Sequence, residues 1–376
     1  NNDKVIFGMD VLGYYTAQNA QLGQGDRAKK FIGNKITLDG SYCAEGIIIG
    51  DESENTLVDN NTIVIKSGVS YGIYFEMSQQ STVTNNILNQ NSQVIYGILG
   101  YDSSNNIVSK NELNAKGNFA YGILFSNGNH NQITLNKIHT NSTGEPITIT
   151  NLDSIGYGNA GISLKANSTY NNVLSNEITA VLGYAVSCDD EAVNNIIDDN
   201  YLDCEVGYAN KAVNSSDKNT VSNNYKFIAN APKINVGTIK YLGDGQFNVT
   251  SGDEFNGGYV KFFDGDNQLI GQSDIVNGTS SFTYSFDYSY GAAAYAFNAQ
   301  LFKENYKASV FPIQFTIEKA DYVVVFDSFS MIQGDTQQVQ LKILDPLGNP
   351  VNGVTVKFNM VRGRDIVMGT AKTGND

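Results

Sequence analysis

The sequence predicts an all-β chain. A right-handed parallel β-helix of about eight coils of 24–25 residues fills residues 1–230, and Ig-like β-sandwich modules follow at 231–319 and 320–376. Three observations predict this. An Asn-centred phrase returns at a near-constant interval, a Gly-centred phrase runs in step with it, and the grammar changes near Pro232 to longer strands joined by tight turns.

The first phrase is N-x-[VI]-x-x-N-x-[IL], as in "NQITLNKI" at residues 131–138. Its second Asn falls at Asn34, Asn61, Asn86, Asn111, Asn136, Asn176, Asn200 and Asn224, at intervals of 27, 25, 25, 25, 40, 24 and 24. The second phrase, [YA]-[GA]-[IV], yields "EGIII", "YGIYF", "YGILG", "YGILF", "AGISL" and "YAVSC". Leucine-rich repeats would need a Leu framework, and helical repeats would need long Ala/Leu/Glu/Lys segments. The runs here are short, β-branched and cut by Asn and Gly, which gives three short strands per coil. Asn suits the corners because it tolerates the left-handed conformation and bonds nearby backbone. Equivalent Asn residues then stack about 4.8 Å apart and can bond amide to amide. The eight are expected to be a structural ladder, with the Ile and Val positions packed inside.

The 40-residue interval holds an insertion near 141–158, "NSTGEPITITNLDSIGYG", expected to leave the stack as a loop. Its Glu145, Asp153 and Tyr157 are candidate ligand contacts. Alternation along "YGIYF" puts Ile73 and Phe75 inside and Tyr74 outside, with Ile48, Leu99, Leu124, Ser163 and Ser187 at equivalent positions. Tyr74, Leu99 and Leu124 therefore form a candidate binding stripe. Cover by the chain's own "DVLGYYTAQNAQLG" is the alternative.

After Pro232, "YVKFFDGDNQLIGQSDIVNGTSSFTYSF" reads as strands joined at Asp264-Gly265 and Asn277-Gly278. Asp264, Asp266 and Asn267 form no complete EF-hand pattern, so a hairpin turn is expected there. From about Asp321, "QVQLKILDPLGNPVNGVTVKFNMV" begins a second module too short to close by itself.

The composition excludes some partners. The formal charge is −14, which argues against nucleic acid and against an anionic membrane surface. No segment is apolar enough to span a bilayer. Cys43, Cys188 and Cys204 are too few for a disulfide framework and read as free buried thiols. Polysaccharide lyases, hydrolases and epimerases need carboxylates paired with each other or with Arg, Lys or His. The chain has only His130 and His139, and only Arg27, Arg362 and Arg364, so no catalytic residue is assigned and an enzyme is not expected. The acidic corners Asp189-Asp190-Glu191 and Asp198-Asp199 read as solvated charge, with calcium as the alternative; no metal site or cofactor is assigned. Sequons at Asn60, Asn141, Asn167, Asn214, Asn248 and Asn277 are candidate glycosylation sites. With no initiator Met and the ending "GTAKTGND", the sequence reads as part of a longer protein.

Asn-rich "NxxNxI" coils followed by a "GNPVNGVTVKF" module resemble the adhesin-like surface proteins of methanogenic archaea, and similar layouts occur in bacterial adhesins. That resemblance implies an extracellular protein of the cell surface or wall, with Ig-like modules as stalk and the β-helix presented to a glycan or a cell-surface protein. Internal Lys–Asn crosslinks occur in some such modules, and no pair is assigned here. The alternative is a structural subunit of an envelope or filament, self-associating through open strand edges. A polysaccharide lyase or hydrolase ranks below both.

Overall fold

The computed structural model describes residues 5–12, 29–40, 42–50, 53–145, 158–226, 232–332, 334–361 and 365–374. The chain divides into two compact units, Asn1–Ile228 with Asn305–Lys307, and Ala229–Glu304 with Ala308–Asp376.

The first unit is a parallel β-solenoid of about seven turns. The eight ladder asparagines mark rungs, and eight rungs bound seven turns, which corrects the expected count of coils. Each central coil contributes a three-residue strand and a fifteen-residue strand: Leu57–Asp59 with Thr62–Glu76, Thr82–Thr84 with Ile87–Tyr101, and Ile107–Ser109 with Glu112–Ser126. The expected three strands are present, but two of them run together. The join is visible in the pairing: Ser67 faces Ser92 and Val69 faces Val94, while Gly68 and Gln93 are skipped. Strand Val5–Leu12, which the phrase count missed, pairs in parallel with Cys43–Gly50 as an additional rung.

β-branched and aliphatic residues fill the interior at every rung. Val58, Val83, Val108, Ile133, Val173 and Ile197 form one inward row, and Ile73, Ile98, Ile123 and Ile162 another, all with no exposed surface. Burying each such side chain is worth roughly 1.5–3 kcal/mol, so the stacked rows supply the main stabilisation.

The ladder forms with the expected amide-to-amide and amide-to-backbone bonds, but the left-handed conformation falls on the residue before it. Nδ2 of Asn86 donates to Oδ1 of Asn111 (2.9 Å), Asn111 to Asn136 (3.0 Å), Asn136 to Asn176 (3.0 Å) and Asn176 to Asn200 (3.0 Å). The backbone N–H of Asn86 donates to the same Asn111 oxygen, and the Asn86 amide also reaches the Val58 carbonyl one coil back. Every polar atom of the side chain is thus used inside the protein. The left-handed residue is the one before the ladder: Gly33, Asn60, Asn85, Lys110, Leu135, Ser175, Asp199 and Asn223 all have φ between 45° and 68°. Asn is therefore needed at the rung for its hydrogen bonds, not for its backbone freedom. A second ladder, Asn106–Asn131–Asn171–Asn195–Asn219, uses the first Asn of the same phrase.

The Gly of the second phrase has a steric role. A Cβ on Gly46, Gly72, Gly97 or Gly122 would lie 2.2–2.5 Å from the carbonyl oxygen of the equivalent residue in the next coil. Only Gly lets the coils approach there.

The C-terminal end of the first ladder is closed by the chain itself. The hairpin formed by Tyr201–Cys204 and Gly207–Tyr208 leads into the 3₁₀ turn Ala209–Ala212. Asn210 in that turn accepts the last rung from Asn224 Nδ2 at 2.9 Å.

In the second unit, Lys233–Val236, Asp244–Thr250 and Thr279–Ser285 form one sheet. A second, five-stranded sheet is built on Tyr259–Phe263, Ala294–Lys303 and Tyr306–Glu318. Rings from both meet: Phe247 stands edge-on to Phe315 at 5.5 Å and stacks near Phe297 at 6.0 Å. The Asn277-Gly278 turn has φ of 49° and 69°, the paired positive values of a type I′ hairpin. At the Asp264 turn the positive φ falls on Asn267 instead, and the Asp264 carboxylate accepts the N–H groups of Asp266 and Gln268. Beyond these sheets lie two separate antiparallel pairs, Val323–Phe326 with Leu341–Leu344 and Thr355–Val361 with Asp365–Lys372.

Candidate functional site

The register places Ile48, Tyr74, Leu99, Leu124, Ser163 and Ser187 in one column on the outer side of the long strands, as alternation predicts. Their burial is the surprise. Leu99 and Leu124 have no exposed surface, and Tyr74 is half-buried. They join a second apolar cluster with Val69, Tyr71, Val94, Tyr96 and Tyr121. The stripe is therefore not an open face, and Leu99 and Leu124 cannot touch a ligand in this conformation. The tyrosine stack was missed because the close coil approach at Gly72 breaks strict alternation, leaving Tyr71 and Tyr74 on the same side. Tyr71 and Tyr96 stack at 4.9 Å and 11°. Residues 13–23 of the expected covering segment lie outside the described residues.

The other candidates are dispersed. Glu145 is exposed, with its N–H on Thr143 Oγ1 at 3.3 Å. Asp153 and Tyr157, like Arg27, Arg362 and Arg364, lie outside the described residues. His130 is exposed on a left-handed corner and stacks on Tyr170 at 5.1 Å; His139 is exposed on a strand. The acidic corners hold backbone and side chains together. Asp189 accepts from the N–H groups of Ala166, Glu191 and Ala192, and Asp198 from Ser222 and Asn223. Among the described residues, no group of three or more His, Cys, Asp or Glu side chains could hold a metal. Of the sequons, Asn60, Asn167, Asn214 and Asn277 are exposed and Asn141 and Asn248 half-buried. Cys43 and Cys188 are buried free thiols and Cys204 is half-buried; burial pushes the Cys188 thiol up to about 12, against a smaller opposing effect of the Ser215 hydroxyl.

An open cleft lies at the bend where the two merged strands meet, and phrase matching gave no sign of it. It has a volume of about 450 Å³ and crosses successive coils from Asp39 to Thr143. Its outer wall is one column, Asp39–Lys66–Asn91–Lys116, each residue exposed and facing the next in register. Its floor is small, with Gly40, Ser67, Ser92 and Gly117, and its far side carries Gln93 and Asn118. Gly117 allows the floor to close: a Cβ there would lie 2.1 Å from the Ser92 carbonyl oxygen. Neither Lys66 nor Lys116 has a side-chain ion pair or hydrogen bond among the described residues. The cleft thus offers amides, hydroxyls and two unengaged cations, a lining suited to polar binding. It also sets the Asp39 carboxylate beside Lys66 in register.

The family model for the right-handed β-helix region matches residues 22–138 and 94–225, more than half of the chain, and the chain belongs to that family. No curated protein matches. Among solved structures, a single-substitution variant of the periplasmic alginate epimerase AlgG is similar at 14% identity over 44% of this chain and 56% of that one, with a TM-score of 0.23. The chain thus spans little more than half the length of that enzyme. A double-substitution variant of AlgG has the same identity and coverage and a TM-score of 0.24. The chitinase ChiW from Paenibacillus sp. str. FPU-7, a cell-surface-expressed multi-modular enzyme, is similar at 9% identity over 84% of this chain and 24% of its own, with a TM-score of 0.18.

Proposed function

We propose that the chain is an extracellular binding protein of adhesin type, at the cell surface or wall. Its β-helix holds a glycan along the polar cleft, and the later β modules, read as Ig-like, serve as stalk. The observation that supports this reading is the cleft itself: an open trough lined by Lys, Asn, Gln and Ser at the spacing of the coils. Sugar hydroxyls match amide and hydroxyl partners, and a row repeating every coil suits a polymer better than a single small molecule. The insertion near 141–158, with Glu145, Asp153 and Tyr157, enters this proposal as a secondary contact. Deleting 145–157 is expected to weaken retention, and unchanged retention would remove that role.

The test is retention of the full chain on a panel of immobilised polysaccharides, with released sugars measured in parallel. Retention without release is the expected result. Release of shorter products would make the protein polysaccharide-active, and no retention on any polymer would overturn the glycan reading. A second reading, a structural envelope or filament subunit, is favoured by strand Val323–Phe326, whose four residues are 45–57% exposed. Val323–Phe326 pairs on one side with Leu341–Leu344, and an apolar strand at the edge of a two-stranded sheet invites addition of a neighbour on its other side.

A further inference from the structure

Building on the cleft as a glycan site, we infer that it selects a linear polysaccharide with a negative charge on every second sugar. Lys66 and Lys116 stand in one register column, separated by a single rung that carries the neutral amide of Asn91. Two rungs span about 9.6 Å at the spacing of paired strands, close to the length of one disaccharide in an extended glycan. Asp39 occupies the rung before Lys66 and repels an acidic group there. Read along the column, the charges are negative, positive, neutral and positive. A polymer that alternates acidic and neutral sugars, laid parallel to the solenoid axis, puts an acidic group at each lysine and neutral sugars at Asp39 and Asn91. A polymer acidic at every residue forces a negative group against Asp39 and leaves another at Asn91 without a cation. The chain as a whole carries a formal charge of −14, so a polyanion that binds here needs a local cation, which Lys66 and Lys116 supply.

The test compares the full chain binding to three soluble polymers of similar length. These are hyaluronan, which alternates a carboxylate sugar with a neutral one, polygalacturonate, acidic at every residue, and dextran, which is neutral. Chondroitin sulfate, whose alternate sugars carry carboxylate and sulfate, adds a second polymer acidic at every residue and is expected to bind more weakly than hyaluronan. Each is titrated at two salt concentrations. An alternating polymer is expected to bind tightest and to lose affinity with salt. Lys66→Gln and Lys116→Gln are each expected to weaken it about three- to fivefold, as for exposed charge pairs, and to flatten the salt dependence. Asp39→Asn is expected to improve polygalacturonate selectively. Lys110→Gln, on a different corner, is the control and leaves binding unchanged. If dextran binds as well as hyaluronan and the lysine variants bind like the parent, charge selection is wrong while the glycan reading stands. If no polymer binds, both fail. If hyaluronan binds best but the Lys66 and Lys116 variants are unaffected, the cleft is not the site.

Discussion

Asn111 shows what one residue does in this protein. Its carbonyl oxygen takes two donors from Asn86, and its amide gives one hydrogen to Asn136 and another to the Val83 carbonyl. Asn111→Ala leaves two buried donors on Asn86 without an acceptor, an expected loss of about 2–4 kcal/mol by urea unfolding. Asn111→Asp does no better, because a carboxylate oxygen would then face the Asn136 oxygen. Asn34→Ala, on the half-buried first rung, is expected to cost less. Cys188 carries a pH signature. Below its ordinary value of 9.0 the thiol is neutral whether the chain is folded or unfolded, but between 9 and about 12 only the unfolded chain ionises it. Its contribution to stability is therefore whole below pH 9 and is lost as pH rises toward 12. Cys188→Ala should show a smaller drop in melting temperature than the parent between pH 8.5 and 10.5. A thiol reagent should leave Cys188 untouched until the chain unfolds.

At the scale of the element, the coil is set by where side chains are missing as much as by where they pack. Gly97→Ala places a methyl 2.2 Å from the Gly122 carbonyl oxygen and 2.8 Å from a Leu113 methyl, with an expected cost of about 3 kcal/mol or more. Gly33→Asn meets nothing within 4 Å at a φ that Asn tolerates, so its thermal shift should be close to zero. This contrast explains what the sequence revealed. The ladder and inward rows repeat with the period, and repetition makes them legible. Tyr71 and Tyr96 also repeat, but the local shift at Gly72 hides which way they point. The cleft was invisible for another reason. Its wall runs Asp, Lys, Asn, Lys through equivalent positions, so no repeated residue marks it, and only the pairing register brings Lys66 and Lys116 into one line. Val5–Leu12 carried a faint signal, since Gly8 occupies the place of Gly46, but no ladder Asn accompanies it.

The molecule as a whole presents an acidic chain with one closed ladder end and one exposed apolar strand. If Val323–Phe326 pairs with a neighbour, sedimentation of the full chain should show association that grows with concentration. Combined Val324→Lys and Phe326→Lys should then leave a single species. The same pair of substitutions should not change polysaccharide retention, because the cleft lies in the other unit. Loss of both together would mean that binding depends on assembly.

The Asn ladder makes the solenoid a ruler whose divisions can be counted and added. Every rung between Asn61 and Asn136 has the same length of chain and the same bonds above and below. A duplicated copy of residues 87–111 would keep its native neighbour, 112–126, on one side and meet its own twin, with the same ladder Asn, on the other. It would move Lys116 one division away from Lys66 and leave the closure at Asn210 unchanged. On a cleft that reads charge by distance, that edit sets a period of three sugars instead of two.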